Sequence, residues 1–528
     1  MRKLNFDNRF CRELPSDPIT SNYTRQVKGA LWSSVAPTPV SAPSLMAYSG
    51  PVAEMLGLTE ADIHHPAMLN ALAGNQLLEG MQSYATCYGG HQFGNWAGQL
   101  GDGRAIYLGE LVHNTQRFEL QLKGAGETPY SRRADGRAVL RSSLREFLCS
   151  EAMHYLGVPT TRALSLVRTG DQVVRDMFYD GNPQMEQGAI VCRVAPSFTR
   201  FGHFELLASR GELALLKQLI GFTIDRDFND WLKQQAQPLL KDDPATALIE
   251  AWFTEVCERT ARMIAHWMRV GFVHGVMNTD NMSITGLTID YGPYGWVDNF
   301  DPGWTPNTTD AQGRRYCFGR QHDIGRWNLE RLADALSTLL PDAVGLNHAL
   351  DQYESVYTQS LIDALVGKFG LDAWQDEDGE MINRCFELMT RAEVDMTLFF
   401  THLPHVNLAK PEVSDLKVAF YTDQGYKNFE ADFNDWLVHY AQRISQSSEP
   451  AEARHTRMAK HNPRYVLRNY LAQEAIDLAE QGDNSMIETL LTLLQNPYTQ
   501  QTGMEKFEEK RPDWARHKAG CSMLSCSS

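Results

Sequence analysis

Apolar and polar positions change rhythm along this chain of 528 residues, and the changes predict its elements. Up to about residue 80 the order is irregular and proline-rich (ALWSSVAPTPVSAPSL), followed by short helical patterns. From about 84 to 205 the pattern turns strand-like, broken by glycine clusters. "RFELQLK" sets Phe118, Leu120 and Leu122 on one face and Glu119, Gln121 and Lys123 on the other, a strand with Lys123 at its end on the polar face. "ALSLVRTGDQVVRDMF" reads as a hairpin turning at Thr169-Gly170-Asp171. Between them the spacing predicts one strong helix that ends at Gly157, with Pro159 just beyond.

After about 205 the period becomes helical. Ile249, Trp252, Phe253, Val256, Met263, Ile264, Trp267 and Met268 form one buried stripe that stops at Gly271. "MSI" and "LTI" then read as two short strands about a Thr285-Gly286 turn, and helical patterns fill much of 322 to 495. The last thirty residues are polar, end in CSMLSCSS and are expected to be a mobile tail. The fold class is therefore α+β: a strand-rich, mixed α/β part over 1–205 and a mainly helical part over 206–528. Two lobes around a nucleotide cleft, in the manner of protein kinases, match that outline.

Composition narrows the class. Hydrophobic residues make up 43% and charged residues 22%, the mixture of a globular chain. The formal net charge of −16 argues against a general nucleic-acid binder, though a local basic cluster still suits one nucleotide. No run approaches the roughly 18 apolar residues of a membrane helix. The segment MRKLNFDNRFCRELPSD has no apolar core, so no secretory leader is expected. Nine scattered cysteines without Cys-x-x-Cys or zinc spacing point to a reduced compartment, with cytoplasm as the expectation. The acidic run "WQDEDGE" reads as a solvated loop.

The stretch "HGVMNTDNMSITGLTIDYG" (274–292) carries the most specific chemistry. Asn281 and, nine residues on, Asp290-Tyr-Gly suit two oxygen ligands for Mg²⁺ or Mn²⁺ bridged to phosphate. Val276 stands where a kinase-type motif would carry its catalytic Asp; Asp280 offers a base from a shifted position. The plain alternative is a turn made by Thr279, Asp280 and Asn281. His274 reads as a structural hydrogen-bonder, and Cys87 and His91 in "CYGGHQFGNW" as packing residues. Lys123 suits a phosphate contact held by Glu146, although Ser143 to Glu146 also fits a capping box. The loops "QLGDGRA" and "LKGAGETPYSRRADGRA" combine glycines with arginines, as phosphate sites do, but match no nucleotide fingerprint and also read as ordinary turns. Arg193 and Arg200, seven apart, would share a face if helical and clamp a phosphate, or else be two surface arginines.

Together these motifs, with "YATCYGGHQFGNWAGQLGDGRA", "RVAPSFTRFGHFE" and the terminal Cys-Ser-Ser, resemble the selenoprotein O family over most of the chain. The resemblance implies a protein-kinase-like fold that moves AMP from ATP to Ser, Thr or Tyr hydroxyls of proteins, releasing pyrophosphate. ATP would lie reversed in the cleft; UMP transfer from UTP with Mn²⁺ is also implied. By motif, Gly101, Gly103 and Arg104 would line the nucleotide. Lys123, held by Glu146, would meet its phosphates with Asp135 and Gly136. Arg193 and Arg200 would grip the inverted phosphate end, joined by Asp290. Asp280 would be the proton acceptor, and Asn281 and Asp290 the metal ligands. The family's tail pattern suggests a redox role for Cys526, paired with Cys521 or Cys317, or else an inert tail thiol. A conventional ATP-dependent phosphotransferase and a non-catalytic nucleotide-binding scaffold are the alternatives. Neither nucleic acid nor membrane is expected as a partner.

Overall fold

The computed structural model describes residues 2–177, 180–235, 238–521 and 523–525. Its strands run β1 (Trp32–Ser34), β2 (Ser44–Tyr48), β3 (Tyr84–Thr86), β4 (Gly89–Gln92), β5 (Asn95–Gln99), β6 (Ala105–His113), β7 (Gln116–Lys123), β8 (Arg162–Arg175) and β9 (Gln184–Ala195). Seven of them form one antiparallel sheet in the order β1-β3-β6-β7-β9-β8-β2. β4 and β5 pair with each other as a separate ribbon. The proline-rich segment expected to be irregular thus supplies both edge strands.

The alternation of β7 is real, but both of its faces are interior. Phe118, Leu120 and Leu122 join a core with Ile63, Leu72, Ile106 and Ile190. Glu119, Gln121 and Lys123 are also buried, on the opposite side, so Lys123 is not on an open polar face. Charge is tolerated there because it is paired. Arg226, on the helix Leu213–Asp227, reaches Glu119 at 2.7 Å, Asp227 at 2.7 Å and Glu110 at 3.6 Å, and lies over Phe222.

β8 corrects the hairpin expected at Thr169-Gly170-Asp171. It is one strand paired with β9 throughout, with a register shift between Arg168 and Gln172. Gly170 takes a φ of +82° in that bulge, which explains why the segment reads as a turn. The helix Leu140–Tyr155 begins after Val139, so Glu146 lies mid-helix and the capping-box reading is set aside. Every residue from Leu140 to Met153 is buried, because the helix packs on β8 and β9 and against the helices Asn469–Glu480 and Ser485–Leu493.

The stripe from Ile249 to Met268 is the buried face of the helix Thr246–Val270, closed by Gly271 at φ +76°. The two short strands β10 (Phe272–Val273) and β11 (Gly295–Trp296) follow and pair antiparallel. They close the neck of the 274–292 loop. Beyond lie the long helices Gln321–Ser337, Val344–Phe369, Asp378–Arg391 and Asp423–Ser445. "WQDEDGE" is not wholly solvated: Asp378 is buried and holds Arg443 at 2.7 Å. The tail also departs from expectation. Leu524 donates its N–H to the Pro306 carbonyl and accepts from Thr308 N–H, at 2.9 and 2.7 Å. Among the described residues no helix is long and apolar enough to cross a membrane.

Arg226 yields a direct test. Removing one member of a buried charge cluster strands the others and costs about 3–5 kcal/mol. Arg226→Met is expected to lower the urea-unfolding free energy by about that much; a loss under about 1 kcal/mol would mean that water reaches Glu110 and Glu119.

Candidate active site

The sheet register builds the site from one side. β7 and β9 set Gln121 opposite Arg193, and β6 sets Ala105 opposite Lys123, so Arg104 stands beside the lysine. Lys123 Nζ meets Glu146 Oε2 at 2.5 Å, and Arg193 Nε meets Glu146 Oε1 at 2.5 Å. One buried carboxylate therefore orients two cations. Burial acts to raise the Glu146 carboxyl, but Arg193 and Lys123 outweigh it and hold it down at about 2. The lysine is lowered, first by burial and then by its arginine neighbours, with Glu146 opposing.

The 274–292 loop builds the other side. The expected strand pair about Thr285-Gly286 does not form. Phe201 N–H bonds to the Met282 carbonyl and Ile284 N–H to the Thr199 carbonyl, while Thr288 bridges to Thr160. The apolar triplets pair outward, to segments distant in sequence, and this draws Arg200 across the loop. Arg193 and Arg200 accordingly share no helix: one is in β9, the other at the start of the helix Phe201–Ser209. They converge on Asp290 instead. Arg193 Nη1 lies 2.9 Å from Asp290 Oδ1, and Arg200 Nη1 pairs with Oδ2. Asp290 has a φ of +56°, a left-handed conformation that the two guanidinium contacts hold in place.

Arg200 also donates to the Asp280 carbonyl at 2.7 Å and lies over Tyr88, and its other end faces Asp102 at 4.0 Å. Asp280 is buried; its Oδ2 accepts from Gln92 at 3.1 Å and its Oδ1 has no hydrogen-bond partner among the described residues. Burial pushes its carboxyl up to about 6. Asn281 Nδ2 donates to the Val276 carbonyl at 3.0 Å, which leaves Oδ1 as the oxygen it offers. Val276 is thus a backbone anchor for the asparagine. His274 is buried and bridges the loop, Nε2 to the Ile289 carbonyl at 2.8 Å, and burial lowers it to about 4, as suits a structural group.

Asn281 and Asp290 fit a divalent cation in a limited sense. Among the described residues no three His, Cys, Asp or Glu side chains cluster as a metal site. Mg²⁺ asks for less, since one or two protein oxygens suffice when phosphates complete the shell. Asp290 already meets two cations in Arg193 and Arg200, so its carboxylate faces positive charge.

A family model described as "Protein adenylyltransferase SelO" matches residues 20–495. This chain belongs to the SelO family. It is similar to the "Protein nucleotidyltransferase YdiU" of Methylobacillus flagellatus, 63% identical over 527 residues that cover 99% of this chain and 100% of the relative. The protein of the same name from Tolumonas auensis is 61% identical over 529 residues, covering 100% of both.

Of the residues assigned through the SelO resemblance, Lys123, Glu146, Arg193, Arg200 and Asp290 form one ion-paired chain, and Asp280 joins it through Arg200. Gly101 and Gly103 pack against Tyr130, where a side chain on either would collide. Gly136 lies against the backbone of Gly126, which folds its loop back beside the end of β7. Asp135 stands apart from the ion-paired chain, half exposed and held by Arg175 at 2.7 Å. Cys526 lies outside the described residues. A cavity of about 560 Å³ lies elsewhere, between Tyr470, Met486, Phe507 and Trp514. Sequence reasoning missed Asp102, which accepts from Thr86 N–H at 2.8 Å and faces Arg200, and Gln92. Both sit inside stretches noticed for other residues.

Glu146 makes the pairing testable. A carboxyl held at about 2, below its ordinary 4.5, stabilises the fold above pH 4.5 and loses that contribution as pH falls toward 2. Glu146→Gln lacks it at every pH. Urea midpoints of the two proteins are expected to differ most at neutral pH and to draw together on acidification; a constant gap would contradict the shared ion pair.

Proposed function

We propose that this chain is a protein nucleotidyltransferase that moves AMP from ATP to Ser, Thr or Tyr hydroxyls of acceptor proteins and releases pyrophosphate. UTP is a second candidate donor. The observation that carries the reading is the ion-paired chain Lys123–Glu146–Arg193–Asp290–Arg200, which gathers three buried cations at one place, with Arg200 also facing Asp102 at 4.0 Å. Three cations converging in a buried setting suit a polyphosphate, whose oxygens each of them can meet with charge-assisted hydrogen bonds. The family name and the printed names of the relatives point the same way.

In this reading the strand-rich part, 1–205, and the helical part, 206–528, are the lobes of a protein-kinase-like fold. The Lys123–Glu146 pair joins a strand to a helix as in kinases, and the 274–292 loop faces it. Lys123, Arg193 and Arg200 hold the departing pyrophosphate, with Arg104 and the Gly101 to Gly103 turn beside the nucleotide. Gly136 shapes the second loop at that end, and Asp135 fastens it. Asp280 accepts the proton of the acceptor hydroxyl while that oxygen bonds the α-phosphorus and the bond from phosphorus to the α–β bridging oxygen breaks. Asn281 and Asp290 would hold Mg²⁺ or Mn²⁺, which neutralises phosphate charge when bound. Val276 costs nothing here, because the reacting phosphorus of a reversed nucleotide lies elsewhere than the γ-phosphorus. A cytoplasmic setting accords with eight described cysteines that are all free and buried. Redox control through Cys526 with Cys521 or Cys317 belongs to the same proposal; peptide mapping of oxidised protein that finds Cys526 always free removes it.

The deciding experiment supplies ATP labelled at the α- or the γ-phosphate, with Mg²⁺ or Mn²⁺. Label is expected on protein from α-labelled ATP only, and none in Asp290→Ala. Label from γ-ATP only would mean a phosphotransferase. Nucleotide binding with no label from either would mean a scaffold.

A further inference from the structure

The β4–β5 ribbon, Gly89 to Gln99, belongs to neither the sheet nor the ion-paired chain, yet it lies along the loop that carries Asp280. Three consecutive ribbon residues engage three consecutive loop residues. His91 N–H donates to Thr279 Oγ1 at 2.7 Å, Gln92 Nε2 donates to Asp280 Oδ2 at 3.1 Å, and Phe93 N–H donates to Asn278 Oδ1 at 3.2 Å. Tyr316 ties the last of these, donating to Asn278 Oδ1 at 2.6 Å while accepting from Phe93 N–H at 3.0 Å. The ribbon is therefore seated by its backbone on both sides of Gln92. The Gln92 side chain is not needed to hold it down.

Gly90 shows what lies on the other side of the carboxylate. A Cβ there would stand 2.7 Å from Asp280 Oδ1 and 2.9 Å from Asp280 Cβ. Any side chain at that position would crowd Oδ1, the carboxylate oxygen that is buried and has no hydrogen-bond partner among the described residues. A buried unpartnered carboxylate oxygen costs free energy unless a ligand meets it.

We infer that Gln92 is a positioning residue for Asp280: its amide holds Oδ2, so that Oδ1, above the bare backbone of Gly90, is the oxygen that meets the acceptor hydroxyl. The inference rests on Asp280 being the proton acceptor. The torsion of a carboxylate is broad, and a donor on one oxygen narrows it to one orientation. An amide is the appropriate donor. A lysine or arginine at 92 would form an ion pair with the base and oppose its taking a proton, whereas glutamine donates without charge.

The test uses the full chain and pyrophosphate release from ATP with Mg²⁺ or Mn²⁺. Gln92→Leu is expected to lower kcat by about 10- to 100-fold, part of what a positioned base contributes. KM for ATP stays within about twofold because nucleotide contacts remain, and the melting temperature falls by only about a few degrees because the ribbon stays seated by its backbone. Gly90→Ala keeps Gln92 but sets a methyl at Oδ1, and is expected to lower kcat in the same way. A raised KM with kcat retained would make Gln92 a nucleotide or packing residue and overturn the inference. Should Gln92→Leu fail to fold, Gly90→Ala decides: a full rate there overturns it. Asp280→Asn separates the two levels. If it keeps the wild-type rate, the base assignment fails; if it is inactive while Gln92→Leu and Gly90→Ala run at the wild-type rate, only the present inference fails.

Discussion

Glu146 is one carboxylate asked to satisfy two cations, and much of the molecule is arranged so that it can. It stands mid-helix on an element buried on all sides, between the sheet and the C-terminal helices. Its two oxygens divide Lys123 from Arg193, each at 2.5 Å. Arg193 then passes the constraint to Asp290, and Asp290 to Arg200. A displacement of the helix therefore moves the far end of the chain of charges, where the 274–292 loop sits. The cost of burying such charges is met only while every link holds. Each link therefore constrains the next, and the ion pairs set the site's side chains in one arrangement.

The loop itself is ordered by side chains rather than by regular backbone pairing. Asn307 donates to the Gly275 carbonyl at 3.0 Å, Asn328 to the Met277 carbonyl at 2.9 Å, and Gln321 brackets its entry at Phe272 and His274. Each of these amides comes from the segment after the loop. On its exit side Arg468 joins Asp298 and Asp395 at 2.8 and 2.9 Å and ties it to the helical core. The loop backbone is thus held by neutral amides close at hand and by buried ions further out.

Regular elements and chemistry-bearing motifs were legible in the sequence to different degrees. The helix that ends at Gly271 and the strand ending in Lys123 announce themselves by period, because one face of each packs against apolar neighbours. The edge strands do not. Trp32–Ser34 and Ser44–Tyr48 are short, rich in serine and flanked by prolines, and they are strands only because a sheet edge accepts them. The seven-residue spacing of Arg193 and Arg200 would put them on one face only in a helix, yet a strand end and a helix start bring them together through Asp290, a contact that local spacing cannot encode. Gln92 escaped notice because its role depends on how a ribbon lies across a loop nearly two hundred positions away.

The placement of β1 and β2 also sets a timetable. They are made before the other strands of this sheet, yet β1 pairs with β3 around residue 85 and β2 pairs with β8 around residue 166. β2 leaves the ribosome more than a hundred residues before its partner exists. Until then its hydrogen-bonding edge has nothing native to pair with, and closing the sheet must await the β8–β9 hairpin. Synthesis therefore passes through an interval in which the half-finished sheet is open on the side that β2 will eventually seal.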